Sequence, residues 1–345
     1  MTTYLNRRTF LWAAGVTGLA LLGGCSNGTS SSSSSASASA SASASTSSSS
    51  SAGATKKLVI GTLATEDLLP LWVAKEEGLY ASKGLDVDIV TFQSATELIS
   101  GVASGEVDLA MTDIMVTASM FASDVDVQMQ WVTLGTTADQ GRFGIMVGPD
   151  SKVATLQDLA GVPIGVGSNT ILEYVMDKLM ESAGVPDDKI IVEELQKLPV
   201  RYQAMASGEV AAAALPGTLL ALGEASNCKL IADDTKGENL SQSVMIARTG
   251  LLSDNAAQAS IEGLKGIWNE AASMVNANPE AYRAVLVSNA NLPDAIADTY
   301  PISSYPQVQL PTSAMVDPVL AWMEKKGYLT KPLSYDESTG KFSAK

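Results

Sequence analysis

At 345 residues, 46% of them hydrophobic, the chain is long enough to fill two buried cores. A formal charge of −15 sets it against nucleic acid and anionic surfaces, so no nucleic-acid partner is expected. Histidine is absent, which removes the usual general base and the commonest zinc ligand. No metal, cofactor or catalytic residue is expected, and two cysteines, Cys25 and Cys228, cannot build a disulfide scaffold.

The chain opens with Asn6-Arg7-Arg8-Thr9-Phe10-Leu11, an apolar run to Leu22, and then Gly23-Gly24-Cys25. A charged start, a short apolar stretch and small residues before a cysteine make residues 1–24 an expected signal peptide. The arginine pair resembles a twin-arginine signal and Leu22-Gly23-Gly24-Cys25 a bacterial lipobox, which implies lipidation at Cys25. Removing this segment, which holds Arg7 and Arg8 but no acid, leaves −17. The protein is therefore expected to be exported and tethered to the outer face of the cytoplasmic membrane. Residues 25–55 carry the lipidated cysteine and then serine, alanine and threonine, with too little apolar surface to offset ordering entropy. They read as a flexible leash.

From residue 56 the chain repeats itself. Leu58 to Thr62 reads as a strand ending in Ile60-Gly61, followed by a turn at Ala64 to Asp67, a helical stretch through Leu68, Leu69, Trp72 and Val73, and a strand at Val87 to Thr91. Ile164-Gly165 ends a second such strand, Gly167 to Thr170 makes its turn, and Ile171, Leu172, Val175, Met176 and Leu179 form a helical stripe before the strand Ile190 to Leu195. Ala103-Ser104-Gly105-Glu106-Val107 recurs as Ala206-Ser207-Gly208-Glu209-Val210, an offset of 103 residues. Each copy alternates strands and helices, the pattern of a parallel sheet covered by helices.

The expected fold is thus α/β, with two Rossmann-like lobes joined by a two-crossing hinge. Residues 56–140 and 245–345 make the first lobe and 141–244 the second. The crossings are expected near Asp139 to Arg142 and Ser241 to Ser243, with the strands Phe143 to Val147 and Val244 to Ala247 beside them. Residues 250–345 are expected to return to the first lobe as helices. In such sheets ligands sit beyond the carboxyl ends of the strands, where helix starts present free amides.

Several segments carry a family resemblance: Leu71-Trp72-Val73-Ala74-Lys75-Glu76-Glu77-Gly78-Leu79-Tyr80, Ser104-Gly105-Glu106-Val107-Asp108-Leu109-Ala110, and Leu156-Gln157-Asp158-Leu159-Ala160-Gly161 with Ile164-Gly165. In this order, behind a lipobox, the chain resembles the nitrate, sulfonate and taurine family of ABC-transporter substrate-binding proteins across nearly all of residues 57–330. The resemblance implies a type II periplasmic-binding-protein fold, no catalysis, a small-molecule ligand and docking on a membrane permease backed by a cytoplasmic ATPase, with the protein acting as a monomer. It leaves the ligand open among sulfonates, taurine, nitrate, bicarbonate and thiamine-type pyrimidines. Where many sulfonate-type relatives carry an aromatic and an acid beside a proline, this chain has Ala213-Ala214-Leu215-Pro216-Gly217 and keeps only the proline. A membrane sensor on the same fold is an alternative. An enzyme resembling those that make the thiamine pyrimidine would need a histidine and a cysteine cluster that are missing.

The turns nominate the binding residues. Ser168, Asn169 and Thr170 begin a second-lobe helix, where hydroxyls and free amides could hold an anionic or carbonyl group or simply cap the helix. Thr65, Glu66 and Asp67 occupy the equivalent first-lobe turn, and two carboxylates facing a cleft would favour an amine, a zwitterion or an amino-bearing ring over a bare anion. Ser94 and Thr96 begin the next helix, Thr112 and Asp113 end a strand, and Pro216 and Gly217 end its counterpart. Arg142, at a crossing, could clasp an acid group in a two-pronged hydrogen bond or bridge the lobes.

Overall fold

The computed structural model describes residues 55–345 except Asn291. The expected signal peptide, the lipidated Cys25 and the leash up to residue 54 lie outside the described residues. The first lobe opens with β1 (Leu58–Leu63), a 3-10 turn over Glu66–Leu68, α1 (Leu69–Glu76), α2 (Leu79–Ser82), β2 (Val87–Phe92), α3 (Ala95–Ser104), β3 (Leu109–Asp113), α4 (Ile114–Ala122) and β4 (Val127–Leu134). The second lobe holds β5 (Phe143–Val147), β6 (Pro163–Val166), α5 (Ile171–Ser182), β7 (Ile191–Glu194), α6 (Leu198–Ala206), β8 (Ala212–Pro216), α7 (Gly217–Ala225) and β9 (Lys229–Asp233). The chain returns through β10 (Ser243–Arg248), α8 (Asn255–Ala277), α9 (Arg283–Asn289), α10 (Asp294–Ala297) and α11 (Ser313–Lys326), and ends in the hairpin of β11 (Leu333–Asp336) and β12 (Lys341–Ala344).

The duplication read in the sequence is visible in the topology. One sheet has the order β2-β1-β3-β10-β4 and the other β7-β6-β8-β5-β9. Within each, three strands run parallel and the strand beyond them is antiparallel, β10 in the first sheet and β5 in the second. The strand that enters the second lobe and the strand that re-enters the first therefore take equivalent places. Their approaches are tied together by Asp234, whose buried carboxylate accepts from the Phe143 amide at 2.8 Å and from the Ser241 hydroxyl. Burial pushes this carboxyl up to about 6, because water no longer stabilises the charged form.

Local sequence accounts for the elements that frame the lobes. In α8, Asp254 caps the first turn by accepting from the Ala256 and Ala257 amides at 2.9 and 3.3 Å, and Ala257, Ile261, Leu264, Trp268, Ala271 and Val275 form one buried stripe at helical spacing. That stripe packs with Leu68 and with Leu71, Trp72 and Val73 of α1, each large apolar side chain contributing roughly 1.5–3 kcal/mol of transfer free energy. Trp72 is thus part of the core. A second core runs across both lobes: Ile114, Val116 and Met120 of α4 join Ile171, Val175 and Met176 of α5, and Val316, Trp322 and Met323 of α11. The residues after 250 are accordingly not all helices of the first lobe. The segment also contains a terminal hairpin, and α11 lies against α4 of one lobe and α5 of the other.

Candidate functional site

The carboxyl ends of β1 and β3 face those of β6 and β8 across the junction of the lobes. Between them lies an inner cavity of about 60 Å³, walled by Thr65, Asp67, Ser94, Leu98, Thr112 and Asp113 of the first lobe and by Phe143, Thr170, Ile171, Gln196, Arg201 and Pro216 of the second. A larger chamber of about 490 Å³ adjoins it, lined by Phe92 from one side and by Leu198, Tyr202, Leu219 and Leu222 from the other. Leu198 and Pro216 belong to both walls.

Seven of the nominated residues meet here: Thr65, Asp67, Ser94, Thr112, Asp113, Thr170 and Pro216. The Thr65 hydroxyl donates to Asp67 Oδ2 at 2.5 Å, while Asp67 Oδ1 is buried without a hydrogen-bond partner. Ser94 caps α3, its Oγ accepting from the Glu97 amide at 3.2 Å. Asp113 holds two helix starts. Its Oδ1 accepts from the Val116 amide of its own lobe at 2.7 Å, and its Oδ2 from the Ile171 amide of the other lobe at 3.0 Å. The free amide expected at the start of α5 is therefore already met by a carboxylate, and burial raises that carboxyl to about 6 against the pull of these backbone donors. Thr170 does line the cavity, but its hydroxyl donates to the Gly167 carbonyl at 2.7 Å.

The other six are placed differently. Glu66 is buried beneath the turn, where Tyr300 donates to its Oε1 at 2.7 Å and Tyr305 to its carbonyl at 2.8 Å. Burial, reinforced by neighbouring Asp67, pushes its carboxyl up to about 7. Gly217 closes against this group, for a Cβ there would lie 2.7 Å from the Tyr300 hydroxyl and 3.2 Å from Glu66 Oε1. Thr96 sits on the exposed rim and donates to Gln196 of the other lobe at 3.3 Å.

Arg142 neither reaches the cavity nor bridges the lobes. It is held within the second lobe by Asp233 at 2.7 Å and by the two oxygens of Glu224 at 2.9 and 3.0 Å, acids that the sequence places more than 80 residues away. Ser168 is turned to Glu194. Asn169, with φ of 58°, points its amide to Ser119 of α4 at 2.6 Å. Both leave the cavity wall because the turn continues in a left-handed step, which asparagine tolerates better than most residues.

Arg201 is the wall residue that sequence reasoning missed. It is 2% exposed. Its Nε donates to the Leu195 carbonyl at 2.7 Å, Nη1 to Ala214 at 3.0 Å and Nη2 to Gln196 at 3.2 Å. Desolvation lowers it to about 10, which leaves it charged at neutral pH. Room for the guanidinium comes from the turn after β6, where a Cβ on Gly167 would stand 2.8 Å from Nη2. A signal was present: the 103-residue offset of the repeat pairs Arg201 with Leu98, so one lobe carries a cation at a buried position where the other carries leucine.

Two α/β lobes, two crossings and a cavity at the strand ends define the type II periplasmic-binding-protein fold. The chain belongs to the NMT1/THI5-like family, whose model matches residues 65–282, more than half its length. The alkanesulfonate-binding protein SsuA from Xanthomonas axonopodis pv. citri, bound to MOPS, shares this fold at a TM-score of 0.68 and 18% identity, covering 81% of this chain and 96% of that one. The ligand-binding component of an ABC-type import system from Staphylococcus aureus does so at 0.68 and 13% identity, covering 79% and 92%. The desulfurization enzyme DSZB shares it at 0.60 and 15% identity, covering 80% and 94%. No curated protein sequence matches the chain.

Proposed function

We propose that this chain is the extracytoplasmic solute-binding component of an ABC importer, anchored through a lipid on Cys25 after removal of residues 1–24 and working as a monomer beside a permease and its ATPase. It captures a small polar organic molecule between its lobes. The observation that carries this reading is the inner cavity, whose wall is drawn from both lobes and whose Asp113 already spans them. A solute bound there contacts both halves, and binding stabilises whichever arrangement gives it the most contacts. The names of two neighbours, an alkanesulfonate-binding protein and an importer component, support the same class.

The first-lobe wall is acidic, with Asp67 and Asp113 lining it and Glu66 beneath, which favours an amino-bearing solute over a bare anion. Thr65, Ser94, Thr112, Thr170 and Pro216 complete the proposed contact set. A second reading, an enzyme, is raised by the fold of DSZB. It is disfavoured because the chain has no histidine, and Cys228 lies in the small core with Met146 and Leu220 rather than on the cavity wall. Native mass spectrometry of protein purified without refolding tests the proposal. A co-purified solute is expected, released on unfolding and raising Tm when added back; turnover of that solute would overturn the non-catalytic reading.

A further inference from the structure

The cavity contains two buried charged side chains without counter-ions, one on each lobe. Arg201 has no carboxylate within 4 Å among the described residues, and three of its five N–H groups are spent on backbone carbonyls, leaving two. The acid whose field it feels is Glu194, itself engaged with Ser168 and Gln196. Across the cavity, Asp67 is 4% exposed and its Oδ1 has no partner, whereas both oxygens of Asp113 and Oε1 of Glu66 accept from donors. A buried charge without a partner is costly. Two of opposite sign facing one another across a gap form a salt bridge with its middle missing.

The duplication makes the arrangement more pointed. Leu98, the first-lobe counterpart of Arg201, also lines the cavity and fills its own lobe against Gly61. Leucine suffices for packing at that place in the repeat, so the guanidinium, for which Gly165 of β6 and Gly167 just beyond it carry no side chain, needs another reason.

Building on the proposed solute-capture role, we infer that the ligand itself completes this split ion pair: a small zwitterion whose acid group meets Arg201 of the second lobe and whose amino group meets Asp67 of the first. Such a molecule neutralises both lobes at once and holds them together, whereas a molecule with a single charge satisfies one wall only. The inner cavity of about 60 Å³ has room for roughly four to six waters, which limits its occupant to a short spacer between the two groups. Any apolar extension would lie in the adjoining chamber.

Isothermal titration calorimetry with matched probes tests the inference: taurine and β-alanine carry both groups, while ethanesulfonate, propionate and ethylamine carry one. The zwitterions are expected to bind the purified protein at least about 30-fold more tightly than any singly charged probe, the scale of losing one partner of a buried charge pair. In Asp67→Asn the zwitterions and ethanesulfonate or propionate should bind alike, a change of preference that a purely structural carboxylate would not produce. Arg201→Gln should lose the acid-bearing probes; if it does not fold, the Asp67→Asn preference still decides. Equal affinity of the wild-type protein for ethylamine or ethanesulfonate overturns the zwitterion assignment and leaves solute capture standing. If no probe binds, a co-purified solute identified by native mass spectrometry decides in its place, and one lacking either group overturns the assignment. With no bound probe and no co-purified solute, solute capture falls as well.

Discussion

The Asp113 carboxylate of one lobe accepts the Ile171 amide of the other at 3.0 Å while capping its own helix through Val116 at 2.7 Å. A single side chain thus closes the start of α4 and ties it to the start of α5. Replacing Asp113 by alanine removes a helix cap, worth about 1 kcal/mol, and a bond to a buried amide, worth about 1 more. Asp113→Ala is expected to lower unfolding stability by roughly 2 kcal/mol and to open the unliganded protein, raising its radius of gyration in solution scattering. An unchanged radius would show that the bridge does not hold the lobes.

Stability should fall as pH rises through the weakly acidic range, because burial keeps protons on carboxyls that release them on unfolding. Glu66 titrates at about 7 and Asp113 and Asp234 at about 6 in the folded chain, all raised first by burial. Unfolded, they return to ordinary carboxyl values near 4. Between these limits the folded state holds more protons than the unfolded one, so this contribution favours folding at low pH, is lost progressively as pH rises toward 7, and is flat above. Glu66→Gln removes one such group. The variant's urea midpoint is expected to change less than that of the wild type between pH 5 and pH 7.5; an identical pH response would rule out a proton on Glu66.

The repeat was legible because a parallel sheet demands the same strand, turn and helix each time, and Gly61 and Gly165 mark the same point in both copies. The cavity was half legible for the same reason, since Thr65, Asp67, Ser94, Thr112, Asp113 and Thr170 all sit at strand ends or helix starts. What escaped depends on distant partners. Tyr300 reaches Glu66 from 234 residues away and buries it, Glu224 occupies Arg142 from 82 away, and Asp113 takes the Ile171 amide at the start of α5, where a ligand's anionic or carbonyl group was expected. Arg201 was overlooked because it stands beside Tyr202, Ala204 and Met205 on the buried side of α6, where the apolar neighbours dominate the pattern.

Gly217 should set how tightly the lobes meet. A methyl group there would press on the Tyr300 hydroxyl at 2.7 Å and on Glu66 Oε1 at 3.2 Å, both of the first lobe, and both belong to packed surroundings that cannot easily shift. Opening the lobes relieves the clash without unfolding either one. Gly217→Ala is therefore expected to leave Tm within about 2 °C of the wild type while weakening solute affinity by about tenfold, a cost near 1.4 kcal/mol. Equal loss of stability and affinity would mean that the contact is ordinary packing within one lobe.

Lys326 is another tie between the lobes, and its removal should be more damaging than that of a surface lysine. Its ammonium lies 2.9 Å from Glu173 and 3.0 Å from Asp177 of α5, while its helix, α11, packs on α4 of the other lobe. Glu173 is 1% exposed at its side chain and also accepts from the Tyr328 hydroxyl at 2.7 Å and the Asn169 amide at 2.6 Å; Asp177 accepts from the Trp322 indole at 2.8 Å. Lys326→Met leaves two buried carboxylates hydrogen-bonded but without a cation. Loss of one partner from a buried pair costs about 3–5 kcal/mol, and because Lys326 itself is 27% exposed the expected loss is nearer 2. Adding Glu173→Gln and Asp177→Asn to that variant should restore most of it, since neutral amides keep an oxygen for the Tyr328 and Trp322 donors and need no counter-ion. Chemical denaturation of the single and triple variants measures both steps, and a triple variant no more stable than Lys326→Met would mean that packing of the lysine stem, not its charge, joins α11 to α5.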